Sequence, residues 1–269
     1  MRDELCEAGG IGEMIEREQL TGRGALPAAT ARRIVRDILE RGLKVGEGLG
    51  DESWCIEHYD VSRGTLREAL RLLTFLGAIT VKPGPRGGPQ LTTPGSAVVG
   101  SALGMVIQFR GATLQTVFDA RTAIEPSVAA LAALQRRDDD LERLDDSLSL
   151  LRAAQKVRGP SYAEQSARFH LLVAEASHND VLATLVPALA AMTATVPWRY
   201  VRGSRPELTE RISTVVEAIR MTDAAAAAQT TSAMFEWIVN DLRATQSARM
   251  QTRILWPEVD EVLTDHRYE

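Results

Sequence analysis

Arg63 and Arg67 stand four residues apart in the segment DVSRGTLREALRLLTFL, which runs from Asp60 to Leu76. On a helix that spacing stacks both guanidinium groups on one face. Paired guanidiniums can fork onto a carboxylate, a phosphate or the O6/N7 edge of a guanine. Leu66, Ala69, Leu70 and Leu73 recur at helical spacing on the opposite face, and Ser62 suits an N-cap. Spacing alone equally describes an ordinary amphipathic helix with a solvated basic side. The flanking chain has to decide.

Upstream, Ile34, Val35, Ile38 and Leu39 form an apolar stripe over Ala28 to Arg41, ended by Gly42. Asp51 suits the N-cap of a short helix reading DESWCIEH, and Asp60-Val61 suits a tight turn before Ser62. Gly77 stops the arginine helix. Ile79-Thr80-Val81 and Gln90-Leu91-Thr92 then read as two strands around a Pro83–Pro89 turn that is rich in glycine, with Lys82 and Arg86 at the turn. Three helices followed by a hairpin describe a winged helix-turn-helix, whose second motif helix enters a major groove.

GLKVGEGL followed by DVSRGTLREALRLLTFLGAITV resembles the N-terminal domain of GntR-type bacterial transcription regulators. The remainder resembles the FadR-type branch of that family, which carries an FCD effector domain. That likeness rests on DARTAIEP from Asp119 to Pro126, on Arg168-Phe169-His170 with Ala176-Ser177-His178-Asn179, and on EAIRMTDAAAAA from Glu217. It implies a cytoplasmic, homodimeric regulator, read as a repressor, binding a palindromic double-stranded operator under control of a small-molecule effector. Ser62, Arg63, Thr65 and Arg67 would touch bases or phosphate, and Lys82, Gly84 and Arg86 would reach the backbone or minor groove. Ser53 stands where relatives often have arginine, and Gly64 replaces a usual threonine.

The expected architecture is mainly α. Residues 1–25 read as a flexible extension, 26–92 as the winged domain, 93–96 as a linker and 97–246 as an antiparallel bundle of six or seven helices. Residues 247–269 read as a tail with a terminal helix through Ile254-Leu255-Trp256. About 45% apolar content supplies a core for two domains. The net charge of −5 excludes a wholly basic nucleic-acid binder, yet residues 26–91 carry 10 Lys/Arg against 8 Asp/Glu. Cys6 and Cys55 have no metal-ligand spacing. The acidic N-terminus does not read as a secretory leader. The uncharged run Val181–Trp198 is interrupted by Pro187 and Pro197 and reads as a buried helix rather than a membrane span.

Enzyme chemistry finds no footing. Asp138–Asp140 and Asp145-Asp146 fall on helix starts and solvent faces, and the glycines at 84, 87 and 88 sit at a hairpin tip without a nucleotide-loop context. FCD domains commonly hold a divalent metal through one Asp and three His. By that resemblance the four positions here are Ser166, His170, Ile212 and Met234, and one histidine among such neighbours cannot hold Zn²⁺ or Ni²⁺. No cofactor is therefore expected, and Ile212 and Met234 are expected on the floor of an apolar effector pocket. Arg121 can face that pocket and bind a carboxylate bidentately, or pair internally with Glu125 four residues on. His170 can serve the pocket or act as a core histidine bonded to Ser166. Trp198 and Trp237 read as core. An arginine over an apolar floor suits a fatty acid, an acyl thioester or an aromatic acid. The competing readings are an interaction or constitutive DNA-binding module that no longer senses ligand, and a metal-responsive regulator.

Overall fold

Local capping sets most of the element boundaries in the first half of the chain. The computed structural model describes residues 25–82, 87–157, 161–196, 198–201 and 203–264. The expected N-terminal extension lies outside these residues, apart from Ala25. Helix α1 (Ala25–Glu40) buries Thr30, Ala31, Ile34 and Ile38, and Gly42 follows it at φ +62°. Only half of the expected stripe packs: Val35 is 37% exposed and Leu39 74%. Ile34 and Ile38 share one face, whereas their neighbours lie about 100° further round the helix.

Helix α2 (Glu52–Tyr59) starts at Asp51, whose carboxylate accepts the Trp54 N–H at 2.8 Å, and stops at Asp60 in the left-handed region at φ 47°. Helix α3 (Arg63–Phe75) buries Leu66, Ala69 and Leu73. Asp37 of α1 ties the first two helices together: it accepts Tyr59 Oη–H at 2.8 Å and pairs with Arg41 at 3.0 Å and His58 at 3.2 Å. Cys55 is buried in this core, and burial pushes its thiol up to about 11. Strands β1 (Ile79–Lys82) and β2 (Gly88–Leu91) pair antiparallel with Ile79 opposite Leu91 and Lys82 opposite Gly88. The second strand thus begins two residues before the expected Gln90. There Gly48 forms a further bridge to Gln90, and Leu49 donates its N–H to Pro89 O, so the 46–49 segment braces the hairpin.

The chain divides after Pro94 into two compact units. The second unit holds eight helices among its described residues: α4 (Ser96–Phe109), α5 (Leu114–Gln135), α6 (Asp138–Ala154), α7 (Ser161–Ala176), α8 (Asp180–Ala194), α9 (Ser204–Arg220), α10 (Ala224–Met250) and α11 (Trp256–Thr264). The long α5 and α10 pack against each other and form the centre of the bundle. Asn179 caps α8 by accepting the Val181 and Leu182 N–H groups, as Asp223 caps α10 through Ala226.

Helix α9 can begin at Ser204 because Pro206 in its first turn sacrifices no helical hydrogen bond. One expectation needs correction here. The C-terminal stretch is part of the bundle: α10 continues past Thr245 through a kink at Gln246, and Ile254 and Val259 are fully buried. Gly104 of α4 lies against Val259 of α11, at a distance where an added Cβ would come within 3.1 Å of that side chain. Ile254-Leu255 precede the last helix instead of forming it. Among the described residues no helix is long and apolar enough to cross a membrane.

Candidate functional sites

At the start of α3, Ser62 Oγ accepts the Thr65 N–H at 3.2 Å and lies 2.9 Å from Thr65 Oγ1. This satisfies a helix-terminal donor and fixes two hydroxyls beside the first turn. Arg63, Gly64 and Arg67 are exposed on that helix, as is Ser53 on α2. Arg63 Nε pairs with Glu52 Oε1 at 3.4 Å, whereas Arg67 enters none of the ion pairs formed among the described residues. Lys82 is exposed at the end of β1, while Gly84 and Arg86 lie outside the described residues. A helix start, two guanidiniums and a wing form a surface able to meet a groove and its phosphates.

Gly64 carries no steric duty: an added Cβ would meet only Ser62 Oγ, at 3.9 Å. Gly64→Ala is therefore expected to stabilise the winged unit by roughly 0.5–1 kcal/mol. A higher unfolding midpoint checks this, and a lower one would show that the backbone there needs glycine.

The second unit contains a cavity of about 320 Å³ lined from α5, α7, α8, α9, α10 and the segment after α8. Arg121, on α5, is 4% exposed at its wall. Its Nε donates to Glu125 Oε1 at 2.6 Å and its Nη1 to Thr193 Oγ1 at 2.8 Å. Its Nη2 is buried and, among the described residues, has no partner. Glu125 Oε2 takes the third connection, accepting from His170 Nδ1 at 2.5 Å. The guanidinium carbon also sits 5.2 Å from the Phe235 ring centroid and 6.0 Å from that of Phe118.

Arg121 therefore forms the internal pair with Glu125, on a helix that also lines the cavity. Burial opposes charge on Glu125, but the Arg121 guanidinium and the His170 hydrogen bond outweigh it and hold the carboxyl at about 2. Burial also pushes His170 below its ordinary value, helped by the Arg121 charge and resisted by Glu125. The resulting state is an arginine cation, a glutamate anion and a neutral imidazole. An ionised carboxylate only accepts, so the imidazole carries its proton on Nδ1.

Several site expectations change. Ile212 and Met234 are buried at 1% and 0% exposure in the main core and do not line the cavity. On α10 the cavity takes Phe235, Ile238, Leu242 and Arg249, which places Met234 about 100° away from that face. His170 bonds to Glu125 and not to Ser166, although both His170 and Ser166 line the cavity. Trp198 does not sit within the core: it packs at its edge and lines the cavity, while Trp237 packs at the core edge under Arg211. Sequence reasoning missed Thr193, Phe118, Tyr200, Arg205 and Arg249 as lining residues. Only the WRY triplet Trp198–Tyr200 offered a local signal, two aromatics around a cation. The residues at the four ligand positions of metal-binding FCD domains do not fit a metal: they are a serine, a histidine held by Glu125 and two core aliphatics. Among the described residues no three His, Cys, Asp or Glu side chains form a metal-binding group.

A winged helix-turn-helix joined to a helical bundle with an internal cavity defines a DNA-binding regulator with a ligand domain. Comparison with known proteins agrees. Residues 26–86 match bacterial regulatory proteins of the gntR family, and residues 116–236 match the FCD domain. The chain thus joins a gntR-family DNA-binding domain to an FCD domain, and the families and relatives it matches are transcription regulators rather than enzymes. It is 29% identical over 150 residues to the HTH-type transcriptional regulator LutR of Bacillus subtilis, a match covering 56% of this chain and 67% of LutR. It is 32% identical over 154 residues to the Uxu operon transcriptional regulator of Escherichia coli, covering 56% and 59% of the two chains. Among solved structures, a GntR protein of Streptococcus agalactiae superposes with a TM-score of 0.65 at 24% identity, over 80% of this chain and 99% of the other. That likeness shows the fold.

Proposed function

We propose that this regulator binds a palindromic operator as a homodimer and that a small carboxylate, held without a metal ion, controls the binding. Arg121 carries the effector half of this reading. This guanidinium belongs to a residue that lines the cavity and has one nitrogen without a partner among the described residues, which makes it the candidate anchor for an anion's oxygen. The DNA half rests on the family and on the exposed Arg63 and Arg67 of α3. A dimer follows from the small contact area of one helix-turn-helix, and its two-fold symmetry requires matching half-sites. Effector binding controls the operator only if the ligand prefers one arrangement of the dimer over another.

Thermal unfolding of the full chain with a panel of acids and their uncharged amides tests the effector reading. At about 100 times Kd, an acid is expected to add about 2.7 kcal/mol and raise the midpoint by several degrees, while its amide leaves the midpoint unchanged. Equal shifts from acid and amide would remove Arg121 as an anion anchor. Tightly held stoichiometric metal, found by elemental assay, would overturn the metal-free part. A gel-shift titration on DNA upstream of the protein's own gene, with and without a bound acid, separates a ligand-controlled regulator from one that binds DNA constitutively.

A further inference from the structure

Arg41 follows α1, outside the helix-turn-helix motif, and its guanidinium is held at three points. Nη1 donates to Asp37 Oδ2 at 3.0 Å and to Leu49 O at 3.3 Å, and the guanidinium carbon lies 5.0 Å from the Trp54 ring centroid. A half-exposed ion pair alone is worth little, but a planar group with three partners has a fixed place.

The three partners belong to three parts of the winged unit. Asp37, on α1, also engages Tyr59 and His58 of α2. Trp54, on α2, stacks on His58 with centroids 4.3 Å apart. Its ring fills the space beside Gly50, where an added Cβ would come within 2.5 Å of it. Leu49 belongs to the segment that braces the hairpin. Arg41 is thus the point at which α1, α2 and that segment meet.

The segment runs along β2 toward the tip. Gly46 donates its N–H to Leu91 O at 2.8 Å, Leu91 donates to Glu47 O at 2.9 Å, and Leu49 donates to Pro89 O at 2.9 Å. Farther along, a Cβ on Gly88 would stand 3.4 Å from Gly50 O, and Gly88 is the ladder partner of Lys82. The base of the hairpin has its own anchors: Ala78 donates its N–H to Leu73 O, Thr92 Oγ1 donates to Gly77 O, and Ile79 is buried. The end that bears Lys82 leans on residues 46–50. A two-stranded hairpin is marginal by itself, so this support decides where its far end lies.

Resting on the DNA-binding reading of the wing, we infer that Arg41 is a positioning residue for operator binding. It touches no DNA. It fixes the 46–50 segment between the helices and β2, so that Lys82 is already in place when the wing meets the phosphate backbone.

A double-mutant cycle of Arg41→Met and Lys82→Ala tests this, read by fluorescence anisotropy of the full chain on a duplex from upstream of its own gene. In the wild type, Lys82→Ala is expected to weaken binding about fivefold per half-site and to make the salt slope shallower by about one, as for one phosphate contact. Arg41→Met keeps the aliphatic stem, loses the three contacts and is expected to weaken binding by a similar factor. In that background Lys82→Ala is expected to cost less than about twofold, because the wing has already lost its place. Asp37→Asn keeps an acceptor for Tyr59 while removing the charge that holds Arg41, and is expected to give the same coupling with less disturbance of the core. Costs that multiply, with a slope shallower by about two in the double variant, would show Arg41 gripping phosphate itself and overturn the inference. So would wild-type affinity in Arg41→Met. If Lys82→Ala changes nothing in the wild type, the inference falls and the reading of α3 stands. If the wild type does not bind the duplex, the DNA reading falls and this inference with it.

Discussion

Glu125→Ala is expected to destabilise the helical unit by about 3–5 kcal/mol, the usual consequence of removing one member of a buried ion pair. The cost arises from what stays behind. Arg121 stays buried with Thr193 as its one remaining hydrogen-bond partner among the described residues, and His170 loses the acceptor of its Nδ1 proton. Urea unfolding followed by helical circular dichroism measures the effect. The double replacement Arg121→Met with Glu125→Leu is expected to recover most of the loss, because apolar side chains of similar volume often replace a buried pair at little cost. It should recover no acid binding. Stability restored while sensing stays absent would separate the packing role of the pair from its ligand role. A Glu125→Ala loss below about 1 kcal/mol would mean that water reaches the pair, and the anion site would then lose its main support.

The same cluster sets the response to acid. Glu125 has a folded value of about 2 against an ordinary 4.5, so its contribution is complete above pH 4.5 and disappears as pH falls through about 2. His170 is also lowered from its ordinary 6.5, so the unfolded chain takes up its proton first. Stability due to keeping this imidazole neutral therefore falls as pH drops below 6.5. Both groups act with the same sign. The wild type is expected to weaken from pH 6.5 downward in two stages, and His170→Gln should flatten the upper stage while leaving the lower one.

How legible this site was depends on the distance over which each fact is determined. The start of α3 could be read because Ser62, Arg63, Thr65 and Leu66 define a cap, a charge and an apolar face within one turn. The Arg121–Glu125 pair was readable for the same reason, four residues being one helical step. The bond from Glu125 to His170 joins positions 45 residues apart on α5 and α7, and no spacing encodes it. Ile212 and Met234 show the opposite case. Their positions were set by likeness to metal ligands, but aliphatic side chains gain by leaving a polar wall, and both are in the core. Trp198 looked like core because large aromatics mostly are; its place at the core edge, lining the cavity, says otherwise.

Arg67→Ala is expected to weaken specific operator binding by about 1–3 kcal/mol per half-site, the worth of one bidentate base contact. Arg67 is a better candidate than Arg63 on physical grounds. Arg63 is paired with Glu52 at 3.4 Å in the free protein, although both side chains are largely exposed. Such pairs are worth about 0–1 kcal/mol, so Glu52 costs little to displace, but it offsets part of what Arg63 gains on DNA. Arg67 meets no such competition among the described residues, and it projects from the middle of a helix whose other face is anchored by Leu66, Ala69 and Leu73. Fluorescence anisotropy on operator and scrambled duplexes at two salt concentrations distinguishes the modes of contact. A base contact predicts lost discrimination between the two duplexes. A phosphate contact predicts equal weakening on both and a salt slope shallower by about one. Glu52→Gln adds the internal control: if Glu52 restrains Arg63, the variant should bind both duplexes more tightly, and Arg63→Ala should then cost more in that background than in the wild type. Operator affinity unchanged by Arg67→Ala would take this residue out of the interface and leave Arg63 as the guanidinium of α3 to be tested next.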